Sequence, residues 1–148
     1  MKRSYKQNCA LAYGLDIVGE RWTLLIVREL LIADKRYGEL LENLSGIGTN
    51  LLADRLKEME ARGLVNRFGG RYRLTDLGRE LEPVVHAIVR FGLLLNKADD
   101  SNWLTRPEWD VVALRALYDA NLDGGIEGTN VLEPVSYTHL TLPTNREV

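Results

Sequence analysis

Apolar positions recur at helical spacing along most of the first ninety-five residues, and the runs are broken by glycines and short charged links. Cys9, Leu11, Ala12, Leu15 and Val18 mark a first helix, which Gly19 ends. A second helix begins at Arg21 and carries Trp22, Leu25, Ile26, Leu30 and Ala33 on a broad apolar face, the pattern of a central buried helix. Asp34-Lys35-Arg36 leads into a short helix that buries Leu40, Leu41 and Leu44. Ser45-Gly46-Ile47-Gly48 then makes a turn into a longer helix, at about 48–62, where Leu52, Leu56 and Met59 form one buried stripe. Gly48 stands at the N-cap, a few tenths of a kcal/mol worse than Ser, and Gly63 closes the C-terminus. The period then shortens. Two short strands within 65–74 flank Gly69-Gly70, whose freedom at positive φ suits a tight hairpin. Thr75 caps a last helix predicted to run unbroken to about Asn96. Its stripe of Leu81, Val85, Ile88, Gly92 and Leu95 is long for one side of a small domain and predicts pairing with the same helix of a second subunit.

These elements describe a mainly α fold with a small β-hairpin, a winged helix-turn-helix, over residues 1–98. Around the 48–62 helix, Asn50, Asp54 and Lys57 point away from the Leu52 stripe, with Thr49 and Ala53 on the flank. Small and amide side chains on an exposed first turn suit the DNA major groove, where Asn matches adenine and methyl groups meet thymine. The hairpin adds Arg67, Arg71 and Arg73, which alternation could place on one face for phosphate contact. The bland reading of this surface is a solvated helix face on a protein-interaction module without DNA binding. Acids and bases tie on the 49–62 helix at three each, and the basic wing decides for DNA.

The net charge of −2 hides a division. Residues 1–98 hold sixteen Lys/Arg against twelve Asp/Glu, whereas 99–134 hold two against eight. A polyanion would meet the first part and be repelled by the second. The single cysteine fits a reducing cytoplasm, and the polar start has no signal-peptide pattern. No run reaches the length of a membrane span. There is no His/Cys/Asp cluster at metal spacing and no phosphate loop after a strand, so no enzyme, metal or cofactor is expected. Cys9 reads first as a small buried hydrophobe, and His86, Trp22 and Trp109 as packed residues. Residues 99–105 read as a linker. Trp109, Val112, Ala113, Ala116 and Leu117 form the face of a further helix, and Ile126–Leu132 alternates weakly like a strand. Residues 135–148 resemble translated sequencing-adapter DNA, or else a disordered tail.

Tyr5-x-Gln7-x-Cys9, Gly19-Glu-Arg-Trp22-Thr-Leu-Leu-Ile, Arg36-Tyr-Gly-Glu-Leu40, Gly46-Ile-Gly-Thr-Asn-Leu-Leu52 and Leu74-Thr-x-x-Gly78 together resemble the HxlR-type winged-helix regulators, relatives of the MarR regulators, over about 5–95. The resemblance implies a bacterial homodimer on an inverted-repeat operator, with double-stranded DNA as partner and an effector of unknown identity. It adds Arg36 and Tyr37 to the DNA-facing set and raises a redox- or electrophile-sensing role for Cys9. Tyr37 stands where the family usually has Phe, and Ala10 where Pro is common. Trp103–Glu133 resembles the truncated start of a sterol-carrier-type C-terminal domain.

Overall fold

The computed structural model describes residues 4–95 and 106–123. Among them, α1 (Ala10–Val18), α2 (Thr23–Ile32), α3 (Tyr37–Asn43) and α4 (Thr49–Ala61) precede the hairpin β1 (Val65–Phe68) and β2 (Arg71–Leu74). Then come α5 (Asp76–Arg79), α6 (Glu82–Leu94) and α7 (Pro107–Asp123). The core is gathered on α2. Ile26, Val27 and Leu30 meet Leu40 and Leu44 of α3, Leu52, Leu56 and Met59 of α4, Val65 and Leu74 of the hairpin, and Val85 of α6. The fold is thus the mainly helical winged helix-turn-helix that the apolar spacing predicts.

Local signals shape the α3–turn–α4 unit and the hairpin that follows it. Gly46 takes φ +94° in the turn between α3 and α4. At the other end of α4, Gly63 at φ +71° lets its own N–H reach the Glu60 carbonyl and that of Leu64 reach Met59. This is the glycine-closed helix end that satisfies the last carbonyls. The chain turns directly into β1. The hairpin register pairs Val65 with Leu74, Asn66 with Arg73, Arg67 with Tyr72 and Phe68 with Arg71. Lys35 and Tyr72 exchange backbone hydrogen bonds at 3.1 and 2.8 Å, so the link before α3 is stitched to the wing.

Three expectations are corrected. The helix expected from Thr75 to Asn96 is two helices. Thr75 caps only α5, its hydroxyl accepting the Gly78 N–H, and Pro83 restarts the chain in the first turn of α6. A proline inside a continuous helix would lose a hydrogen bond and clash with the carbonyl four residues back. Trp22 is not on the face of α2 but precedes it at φ +81°, packed against the core beside the Gly46 turn. The three wing arginines do not share a face. Directly paired residues of a hairpin lie on one side, so Arg71 and Arg73 lie with Phe68 and Asn66, while Arg67 lies with Tyr72.

Gly78 is required by packing, because a Cβ there would lie 2.0 Å from the Leu64 carbonyl oxygen. Beyond α6, α7 lies against α2 and α6, and its Val112 joins the common core. The expected linker 99–105, the strand Ile126–Leu132 and the tail 135–148 lie outside the described residues.

Candidate nucleic-acid interface

The exposed side of α4 carries Thr49, Asn50, Ala53, Asp54 and Lys57, all open to solvent, while Leu52, Leu56 and Met59 are buried beneath them. Tyr37 fixes the start of this helix: its hydroxyl donates to the Thr49 carbonyl at 2.6 Å, a bond that Phe could not make. Thr49 and Asn50 are therefore held out at the N-terminal turn. Arg55 on the same helix is spoken for, bonded to Glu58 and Glu20 at 2.8 and 3.2 Å.

Arg36, Tyr37 and the hairpin converge on the start of α3. The Arg36 N–H donates to the Glu39 carboxylate, and Arg71 reaches both Glu39, at 3.1 Å, and the Asp34 carbonyl, at 2.9 Å. Arg73 pairs with the Asp34 carboxylate at 2.6 Å and lies over the Phe68 ring. The Arg36 N–H, with the charges of Arg71, Lys35 and Arg36, outweighs the opposing effect of burial and holds the Glu39 carboxyl below its ordinary value. Two of the three wing arginines are thus engaged within the chain. Arg67 is exposed and stacks over Tyr72 at 5.5 Å. Among the described residues, Arg36, Lys57 and Arg67 are the cations of this surface without an ion pair.

The expected dimer stripe divides. Val85 is buried within the protomer and Leu81 packs against the same core, whereas Ile88, Gly92 and Leu95 are exposed. Phe91 and Leu94 beside them are also more than 60% exposed. Sequence spacing did not single out these two, although their apolar character at the end of a helix was there to be read. On α1, Leu11 and Tyr13 are exposed in the same degree.

Cys9 is exposed at the N-cap of α1, which corrects its reading as a buried hydrophobe. The backbone N–H groups of Ala12 and Leu11 face the thiol and lower its pKa. His86 is buried, with Nδ1 2.9 Å from the Asp119 carboxylate of α7. No group of His, Cys, Asp and Glu among the described residues could hold a metal ion. No helix among them is long and apolar enough to cross a membrane.

A buried helix-turn-helix core, an exposed N-terminal turn on its second helix and a flanking hairpin define a winged helix-turn-helix regulator. The model of the HxlR-like helix-turn-helix family matches residues 17–99, and the chain belongs to that family. The HTH-type transcriptional regulator sll1512 of Synechocystis sp. is 33% identical over 103 residues, 65% of this chain and 70% of that protein. The regulator Rv3095 of Mycobacterium tuberculosis is 36% identical over 109 residues, 69% of this chain but only 63% of the relative's length. The crystal structure of quinone-bound YodB from Bacillus subtilis superposes with TM-score 0.54 at 31% identity, covering 57% of this chain and 96% of that one. The chain is accordingly a DNA-binding transcriptional regulator of a bacterial family, not an enzyme. The family match ends before Trp103, so the sterol-carrier likeness of 103–133 stands on sequence alone.

Proposed function

We propose that the chain acts as a cytoplasmic homodimer on an inverted-repeat operator in double-stranded DNA, with one α4 in the major groove of each half-site. The observation that carries this is the N-terminal turn of α4, exposed over a buried stripe and anchored by the Tyr37–Thr49 bond. Asn50 lies closest to the base edges, where its amide donates to and accepts from adenine. Ala53 and the Thr49 methyl group offer apolar contact to thymine, and Asp54 accepts from a cytosine amine. Lys57, two turns further on, meets phosphate. Arg36 and Arg67 add phosphate contacts on either side. The exposed apolar end of α6, from Ile88 to Leu95, supports pairing with a second copy.

Binding-site selection on purified protein tests the assignment. Asn50→Ala should cost roughly 1–3 kcal/mol on the best site and flatten one base position per half-site. Lys57→Ala should weaken all sequences alike and reduce the salt slope. If Lys57→Ala relaxes one position while Asn50→Ala leaves the selected motif unchanged, the helix enters the groove at another angle.

The exposed, acidified thiol of Cys9 supports a second role, sensing of an electrophile or oxidant, in line with a family relative solved with quinone bound. Residues 103–133, by their sequence resemblance, would open a sterol-carrier-type domain.

A further inference from the structure

Glu29 lies in the middle of α2, 1% exposed, with no place in the DNA-facing surface. Its carboxylate is met from four directions. Oε1 accepts from its neighbour Arg28 at 2.9 Å and from the indole N–H of Trp109 at 2.7 Å. Oε2 accepts from the Asn43 amide at 2.8 Å, and the Lys35 ammonium stands 3.7 Å away. These partners belong to different elements: Asn43 ends α3, Lys35 is stitched to Tyr72 of the wing, and Trp109 opens α7. The Trp109 ring is also covered by the Arg28 guanidinium at 4.0 Å. Next to it, Arg106 donates to the Glu42 carbonyl at the end of α3, at 3.3 Å. At its far end α7 is held to α6 by Asp119–His86 and by Arg90 donating to the Ala116 carbonyl at 3.0 Å.

A buried carboxylate is strongly disfavoured unless its oxygens are fully bonded. Loss of one donor is therefore felt by the others on the same carboxylate. We propose that Trp109 is a positioning residue for the reading head: its bond to Glu29 couples the docking of α7, which lies beyond the family-matched region, to the placement of α3 and the wing link. Whatever chain follows α7 can then act on DNA binding by holding or releasing one helix. This rests on the DNA-binding reading above for its consequence, and on the Glu29 cluster for its geometry.

The test is Trp109→Phe in the full chain, which keeps a ring over Arg28 and removes the N–H. Amide exchange at Leu40 and Leu44 of α3 should speed up, while that at Met59 in α4 stays as in the wild type. Operator affinity should fall about fivefold or more, the lower end of a typical coupling between sites. The salt slope should not change, because no phosphate contact is lost. Unchanged protection at Leu40 and Leu44 overturns the coupling, as does an affinity loss that comes with a shallower salt slope. If the wild type binds no DNA at all, the DNA reading fails and the exchange measurement alone decides the coupling. Should Trp109→Phe not fold, Asp119→Asn loosens α7 from its other end without touching Glu29. Faster exchange at Leu40 and Leu44 is again expected, and unchanged exchange there overturns the proposal.

Discussion

Glu29 and Cys9 show how backbone and burial set the chemistry of single residues. Burial pushes the Glu29 carboxyl up, but hydrogen bonds from Asn43 and Trp109 and the charge of Arg28 outweigh it and hold the group below its ordinary value. A carboxyl with a depressed folded-state pKa stabilises the fold above its unfolded value of about 4.3 and loses that contribution as pH falls through the folded value. Unfolding free energy should therefore decline from about pH 4.3 downward, and Glu29→Gln should flatten that acid limb in urea titrations. Glu29→Ala, which leaves buried donors unmatched, should cost about 3–5 kcal/mol. For Cys9 the expected result is an alkylation rate whose pH midpoint lies below that of an unperturbed thiol measured alongside. A midpoint at the free-thiol value would count against a sensing role. Neither environment was legible in the sequence: Glu29 reads as a charge interrupting the apolar second helix, and Cys9 as part of the apolar stripe of the first.

At the scale of elements, the wing is a strut: Arg71 and Arg73 tie the hairpin to the link before α3. Arg71 and Glu39 are each more than 40% exposed, so solvent screens their pair, it adds little stability, and DNA phosphate can compete for the arginine. Moving Arg71 to phosphate uncovers Glu39 beside the DNA, which leaves the net charge presented to the duplex the same. The salt dependence should accordingly come from Arg36, Lys57 and Arg67. Arg67→Ala should reduce the slope of log K against log salt by about 0.9 per protomer. Arg71→Met combined with Glu39→Gln should leave the slope in place while weakening affinity by loosening the hairpin. A slope that falls with the double variant and not with Arg67→Ala would reverse these roles. The three arginines were visible in the sequence, but their faces depended on the register: Arg67 pairs with inward-facing Tyr72, and Arg71 with Phe68.

For the whole molecule, the proposed dimer requires a surface that would hold two copies of α4 at half-site spacing. The exposed apolar side chains at the end of α6 are the candidate surface, which Ile88, half exposed, begins. Ile88→Glu should give a monomer in sedimentation with much weaker operator binding, since one half-site holds far less than two. Val85 cannot serve as a neutral probe of the same surface, because it is in the protomer core and its loss would destabilise the fold. A dimeric Ile88→Glu variant would move the interface elsewhere.

What the sequence by itself determined is what short range decides. The apolar period located α2, α3 and α4, Gly63 ended α4, and Gly69-Gly70 turned the hairpin, because each depends on residues within a few positions of one another. The break at Pro83 was of this kind too, and was legible in the residue that a heptad count passed over. The tertiary structure alone decided which charges are free and which helix faces stay open. Glu39 and Arg71 are 32 residues apart, and Glu29 and Trp109 are 80 apart. Packing on α2 brings them together, and no local period records it. The stripe on α6 is continuous in sequence, yet α6 turns Val85 inward and leaves Ile88 out, because a helix buries only the part of its face that another element covers.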